Sequence, residues 1–63
     1  MNKIKERREL TGITQNGLAE ALGVDRSAIA KWETGKALPR ADKIPKIAEI
    51  LNCSTDDLFK DSV

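Results

Sequence analysis

The stretch Thr14 to Gly35, TQNGLAEALGVDRSAIAKWETG, constrains this chain more than any other. Apolar residues fall at Leu18, Leu22 and Val24, then at Ile29 and Trp32, following the three-to-four spacing of a helix on either side of a break. Gly23 stands at the break, where a positive φ can end a helix without a Cβ clash. Ala19 leaves room for a second helix to cross closely. Asp25 follows as a cap, its carboxylate accepting a backbone N–H that has no partner within the next helix. The pattern predicts two short amphipathic helices meeting at a tight turn.

The chain has 63 residues, room for one domain (1–63) with one small core and no enclosed substrate cavity. A composition 40% hydrophobic and 33% charged is that of a soluble globular protein. No apolar run reaches membrane-spanning length and the N-terminus lacks a signal-peptide core, so a cytoplasmic location is expected. Cys53 is the single cysteine and histidine is absent, which excludes an internal disulfide and the usual zinc-finger patterns. With no histidine, no base beside the cysteine and no phosphate-cradling glycine loop, no catalytic constellation or cofactor site is expected and an enzyme is disfavoured.

Net charge is only +1, but its distribution is uneven. Residues 1–25 balance, whereas Arg26, Lys31, Lys36, Arg40, Lys43 and Lys46 face only Glu33 and Asp42 in residues 26–46. In residues 47–63, Lys60 faces Glu49, Asp56, Asp57 and Asp61. A neutral total thus hides a basic middle and an acidic tail, giving one face suited to phosphate. A mixed, solvated surface would account for the same totals.

The glutamine at the head of the first motif helix, Ala19, Gly23 and the apolar frame around them resemble the helix-turn-helix of phage repressor/Cro-type (XRE-family) regulators, found in bacteria and phages. The resemblance covers nearly the whole chain. It implies an all-α fold of five short helices, a lambda-repressor-like domain with the motif formed by helices two and three. It also implies that Arg8 in helix one pairs with Glu33 near the end of helix three. A guanidinium can hold a carboxylate through two parallel hydrogen bonds, fastening the two helices together.

Helix one is expected over Asn2 to Leu10 and ends at Thr11-Gly12. Helix two is expected from Gln15 to Leu22 with Thr14 as its cap. The free N–H groups at its start suit a phosphate, and the resemblance implies that Thr14 and Gln15 touch the DNA backbone. Gly17 departs from the family, which usually carries a good helix former there, and has no evident function.

Helix three is expected from Arg26 to Thr34. Ile29, Trp32 and Glu33 share one side, Ser27, Ala30 and Lys31 the other, and Arg26 stands between them at the exposed end. The outward side is small, polar and positive, which lets a helix enter a major groove. Arg26 and Lys31 then reach guanine edges or phosphate, Ser27 lies among them, and Ala30 can touch a thymine methyl. Trp32 is expected in the core, with the rim of a DNA contact as the alternative. Beyond Gly35, Lys36 and Arg40 are the remaining phosphate candidates, though either also reads as an ordinary exposed charge.

Helix four is expected from near Ala41 to Asn52 with Asp42 as cap, Pro45 at its third position and a buried stripe of Ile44, Ile47, Ala48 and Leu51. Cys53 reads as a buried, inert thiol. Ser54 and Asp57 form a capping-box pair opening helix five, which ends near Phe59. Leu10, Ile50, Phe59 and Val63 are left over once core faces are assigned, suggesting a homodimer through the helix-five region.

The expected function is sequence-specific binding of double-stranded DNA by a transcriptional regulator, a repressor by preference, at a roughly palindromic operator. The same scaffold serving as an antitoxin or protein-interaction module is the alternative, since fold alone does not fix function.

Overall fold

In the computed structural model, which describes residues 2–59, five α-helices follow one another: α1 (Ile4–Thr11), α2 (Gln15–Leu22), α3 (Arg26–Thr34), α4 (Ile44–Ile50) and α5 (Thr55–Phe59). Among the described residues there is no strand. None of these helices is long and apolar enough to cross a membrane.

Each of the first three helices and α4 closes the same way. At the end of α2, Gly23 turns to φ 70° and the Val24 N–H reaches back to the Ala19 carbonyl at 3.0 Å. This bond satisfies a carbonyl the helix would otherwise leave open. Equivalent backward bonds run from Ile13 to Arg8, from Lys36 to Lys31 and from Cys53 to Ala48. The last of these is made possible by Asn52 at φ 57°, the one non-glycine with positive φ among the described residues. Asparagine tolerates this region better than other side chains do.

The core is a wedge of apolar residues drawn from all five helices. Ile4, Leu18, Ile29, Ile47 and Leu58 are fully enclosed, with Leu22, Trp32, Ala48 and Leu51 around them. Ala19 is buried too, a small side chain where α2 and α3 pack together. Trp32 lies in this cluster with 6% of its surface left, which leaves its ring no exposed face for the rim of a DNA contact.

Two boundaries differ from expectation. Helix one starts at Ile4 because Asn2 is spent capping it, its Oδ1 accepting from the Ile4 N–H while its Nδ2 donates to the Trp32 carbonyl at 2.8 Å. The segment after Pro39 begins as a 3-10 turn over Ala41–Lys43, and only Ile44–Ile50 is α-helical. Asp42 does not cap this helix; its carboxylate pairs with Arg40, and Pro45 sits within the first two helical positions, where a missing N–H costs nothing. Ile44 is correspondingly only half-buried and lies outside the core cluster.

At α5 the Ser54 hydroxyl accepts from the Asp57 N–H, and the Asp57 carboxylate accepts from the Ser54 N–H, a reciprocal box. Cys53 packs half-buried against the core. Burial pushes its thiol up, keeping it protonated and unreactive at neutral pH.

Gly17 also has a local cause. A Cβ there would meet Ile13 Cγ2 and the capping Thr14 Oγ1, both at 3.2 Å. The helix thus gives up propensity so that the chain entering it can fold over its first turn.

Candidate nucleic-acid interface

The two sides of α3 carry opposite chemistry. Inward, Ile29 and Trp32 enter the core and Glu33 is enclosed, with 3% of its side-chain surface left. Arg8, reaching across from α1, donates from Nε to Glu33 Oε2 at 2.6 Å and from Nη2 to Oε1 at 3.3 Å. Its Nη1 is spent on the Ile13 carbonyl at 2.9 Å, so one guanidinium binds α1, α3 and the entry to α2. Burial pushes the Glu33 carboxyl up, but hydrogen bonds from Arg8 and Gln15, together with the Arg8 charge, outweigh it and hold the group below its ordinary value.

From this pair a chain of hydrogen bonds runs outward. Gln15 donates from Nε2 to Glu33 Oε1 at 2.9 Å, and Arg26 Nη1 donates to Gln15 Oε1 at 3.4 Å. A carboxylate only accepts and a guanidinium only donates, so a single orientation of the amide satisfies both neighbours. Gln15 is thus half-buried and held at the head of α2, linking the core pair to the first residue of α3. The sequence reading gave Gln15 a backbone role and did not foresee this link to Arg26.

Outward, Arg26, Ser27 and Lys31 are exposed, while Ala30 is half-buried. Asp25 caps the helix, with Oδ2 accepting from the Ser27 N–H at 3.0 Å and also from the Ser27 hydroxyl. These two bonds, hydroxyl first, hold its carboxyl below the ordinary range and keep it ionised at neutral pH. Thr14 is exposed and its Oγ1 accepts from the Gly17 N–H at 2.9 Å, capping α2 while leaving its own proton available.

Lys36 follows Gly35 in the turn that ends α3 and is exposed. Arg40 is exposed beyond the buried Pro39, with Nε 3.5 Å from Asp42 Oδ1 in a pair open to water on both sides. Lys43, which carried no assigned role, donates from Nζ to the Leu22 carbonyl at 3.2 Å and so secures the end of α2 beside the turn. Among the described residues no group of three or more His, Cys, Asp or Glu could hold a metal ion.

This arrangement, one helix braced on the core and the next propped against it with a small basic side outward, matches a family model described as helix-turn-helix over residues 4–58. The chain belongs to the helix-turn-helix family of transcriptional regulators. It is 43% identical over 56 residues to the HTH-type transcriptional regulator YazB of Bacillus subtilis, an alignment covering 89% of this chain and 81% of that protein. It is also 38% identical to the HTH-type transcriptional activator BcrR of Enterococcus faecalis, over 90% of this chain and 28% of that one. A third similarity, 37% identity, is to the phage transcriptional repressor RstR of Vibrio cholerae, over 89% and 54% of the two chains. The matched unit therefore makes up most of one relative, just over half of another and little more than a quarter of the third.

Proposed function

We propose that this helix-turn-helix protein is a sequence-specific regulator of transcription that lays α3 in the major groove of double-stranded DNA, acting as a repressor where its operator overlaps the path of polymerase. The observation that carries this reading is the outward side of α3: Arg26, Ser27 and Lys31 exposed on a helix whose other side is locked into the core. Arg26, Ser27, Ala30 and Lys31 read base edges, and Thr14, Gln15, Lys36 and Arg40 hold the phosphates that set register. All of this lies within a single domain, 1–63, working in the cytoplasm of a bacterial host.

Two copies act together, since one monomer offers few base contacts. The apolar residues outside the core favour a homodimer through the α5 region. Leu10 is 72% exposed, and Ile50 and Phe59 are half-buried against the core. The Lys3 N–H donates to the Leu58 carbonyl at 2.7 Å, and the Thr11 hydroxyl, which donates to the Arg7 carbonyl at 2.8 Å, lies 3.4 Å from the Leu51 carbonyl. These contacts tie α1 to the end of α4 and to α5. Val63, also expected to contribute, lies outside the described residues. In a dimer the two α3 helices enter successive major grooves about 34 Å apart.

Selection of bound sites from a random duplex pool tests this reading. A roughly palindromic site is expected, with half-site spacing of about one helical turn. Affinity should fall steeply with salt, each neutralised phosphate adding about 0.9 to the log–log slope. Lys31→Ala should relax preference at one position of each half-site, whereas Lys36→Ala should weaken all sequences alike. Identical behaviour of the two variants would overturn the division of roles, and no enriched site would overturn the reading itself.

A further inference from the structure

We propose that Ser27 selects its base as a hydrogen-bond acceptor only, so that it takes the exocyclic amino group of an adenine or a cytosine, and that Asp25 is the positioning residue that imposes this. The inference rests on the DNA-binding reading above and deepens it at one position of the operator.

A serine hydroxyl ordinarily has one proton to give and two lone pairs, and can meet either kind of base edge. Here the proton is committed. The Ser27 hydroxyl donates to Asp25 Oδ2, the same oxygen that accepts the Ser27 backbone N–H at 3.0 Å. Two donors from one residue converging on one carboxylate oxygen fix the side chain against its own helix start. A carboxylate is acceptor-only and cannot return a proton, so the hydroxyl has no reason to rotate away in water.

What Ser27 offers to a groove is therefore lone pairs. Major-groove donors are limited to the adenine N6 and cytosine N4 amino groups; guanine N7 and O6, adenine N7 and thymine O4 are all acceptors. Turning the hydroxyl toward one of those acceptors would strip an ionised carboxylate of a hydrogen bond next to DNA phosphates, where its charge is already unfavourable. Arg26 and Ser27 thus form a donor followed by an acceptor along α3, a polarity that neither residue type states alone.

The test begins with the site selected by the native protein and identifies the position whose preference is lost in Ser27→Ala. Duplexes are then built with N6-methyladenine or N4-methylcytosine at that position, which keep base pairing but remove the amino proton facing the groove, or with the 7-deazapurine, which removes N7 only. Binding of the native protein should weaken about 3- to 10-fold, the size of one hydrogen bond, with one of the methylated bases and remain unchanged with the deaza base. Which methylated base acts tells adenine from cytosine, and Ser27→Ala should be indifferent to all three.

Asp25→Gly keeps a tolerable cap and frees the hydroxyl. In a fresh selection it should admit guanine or thymine at that position as well as the amino-bearing base, and circular dichroism should show the helices retained. A native protein sensitive to the deaza base and indifferent to both methylated ones would overturn the proposal while leaving DNA binding intact. So would a Ser27→Ala variant that selects the same site at every position. Failure to select any site would instead remove the reading on which it rests.

Discussion

The inward and outward sides of α3 both carry charge, yet they use it in opposite ways. Inward, Glu33 is fully engaged by Arg8 and Gln15 with almost no water left around it. Outward, among the described residues, Lys31 stands exposed with no such partner, and Arg26 makes one long bond, to Gln15. The buried group is committed to the fold, and its geometry is set by three hydrogen bonds at once. The exposed groups add little to stability and are left available to a ligand. The lesson is that one nine-residue helix separates holding from reading by side, and that Gln15 is where the two meet.

The sharpest way to break this comparison is to remove one member of the buried pair. Arg8→Ala leaves the Glu33 carboxylate enclosed without its main partner and should cost about 3 to 5 kcal/mol, close to the whole stability of a chain this short. Thermal or urea unfolding followed by circular dichroism measures it. The double variant Arg8→Met with Glu33→Leu should recover much of that loss, because no charge is then buried alone. A loss below about 1 kcal/mol in Arg8→Ala would place the pair with the surface charges.

Acid sharpens the same point. The folded Glu33 carboxyl lies below its ordinary value, so its contribution is complete above the unfolded value of about 4.3 and is lost as pH falls through the lower folded one. The native protein should therefore lose stability below about pH 4. Glu33→Gln should begin less stable at neutral pH and lose less over that window, so that the two melting curves converge. Parallel curves would remove Glu33 from the account of acid unfolding.

The cap at the head of α2 gives a smaller effect. Thr14→Ala removes the acceptor for the Gly17 N–H and should cost about 1 kcal/mol. It also relieves one of the two close neighbours of position 17, so Gly17→Ala should be better tolerated in the Thr14→Ala background than in the native one. Smallest of all, Ser27→Ala and Lys31→Ala should each change stability by less than about 0.5 kcal/mol, whatever they do to DNA binding. A larger change would mean that the outward side also holds the fold.

The helix-turn-helix itself was legible because its signals are local. Thr14 and Asp25 as caps, Gly23 and Gly35 as stops and the apolar spacing between them act within a few residues, and the bounds of α2 and α3 follow from them. The start of α1 was less legible, because Asn2 is a cap whose amide also serves the Trp32 carbonyl, a partner thirty residues away. The start of α4 was misread because Asp42, a natural cap by type, had a nearer cation in Arg40. At the candidate interface, exposure of Arg26, Ser27 and Lys31 followed from periodicity alone. The bond from Arg26 to Gln15 and the tether from Lys43 to Leu22 join different helices, and no spacing rule along the chain announces them.

Two clamps on the motif, one on each of its helices, have a consequence for how a duplex would be met. Asn2 grips the carbonyl of Trp32 near the end of α3, and Lys43 fastens the close of α2 beside the turn. A motif held at both places arrives at the groove already aimed. Association then has to still only a few surface side chains, so less of the contact energy is spent on ordering and more remains to tell one sequence from another.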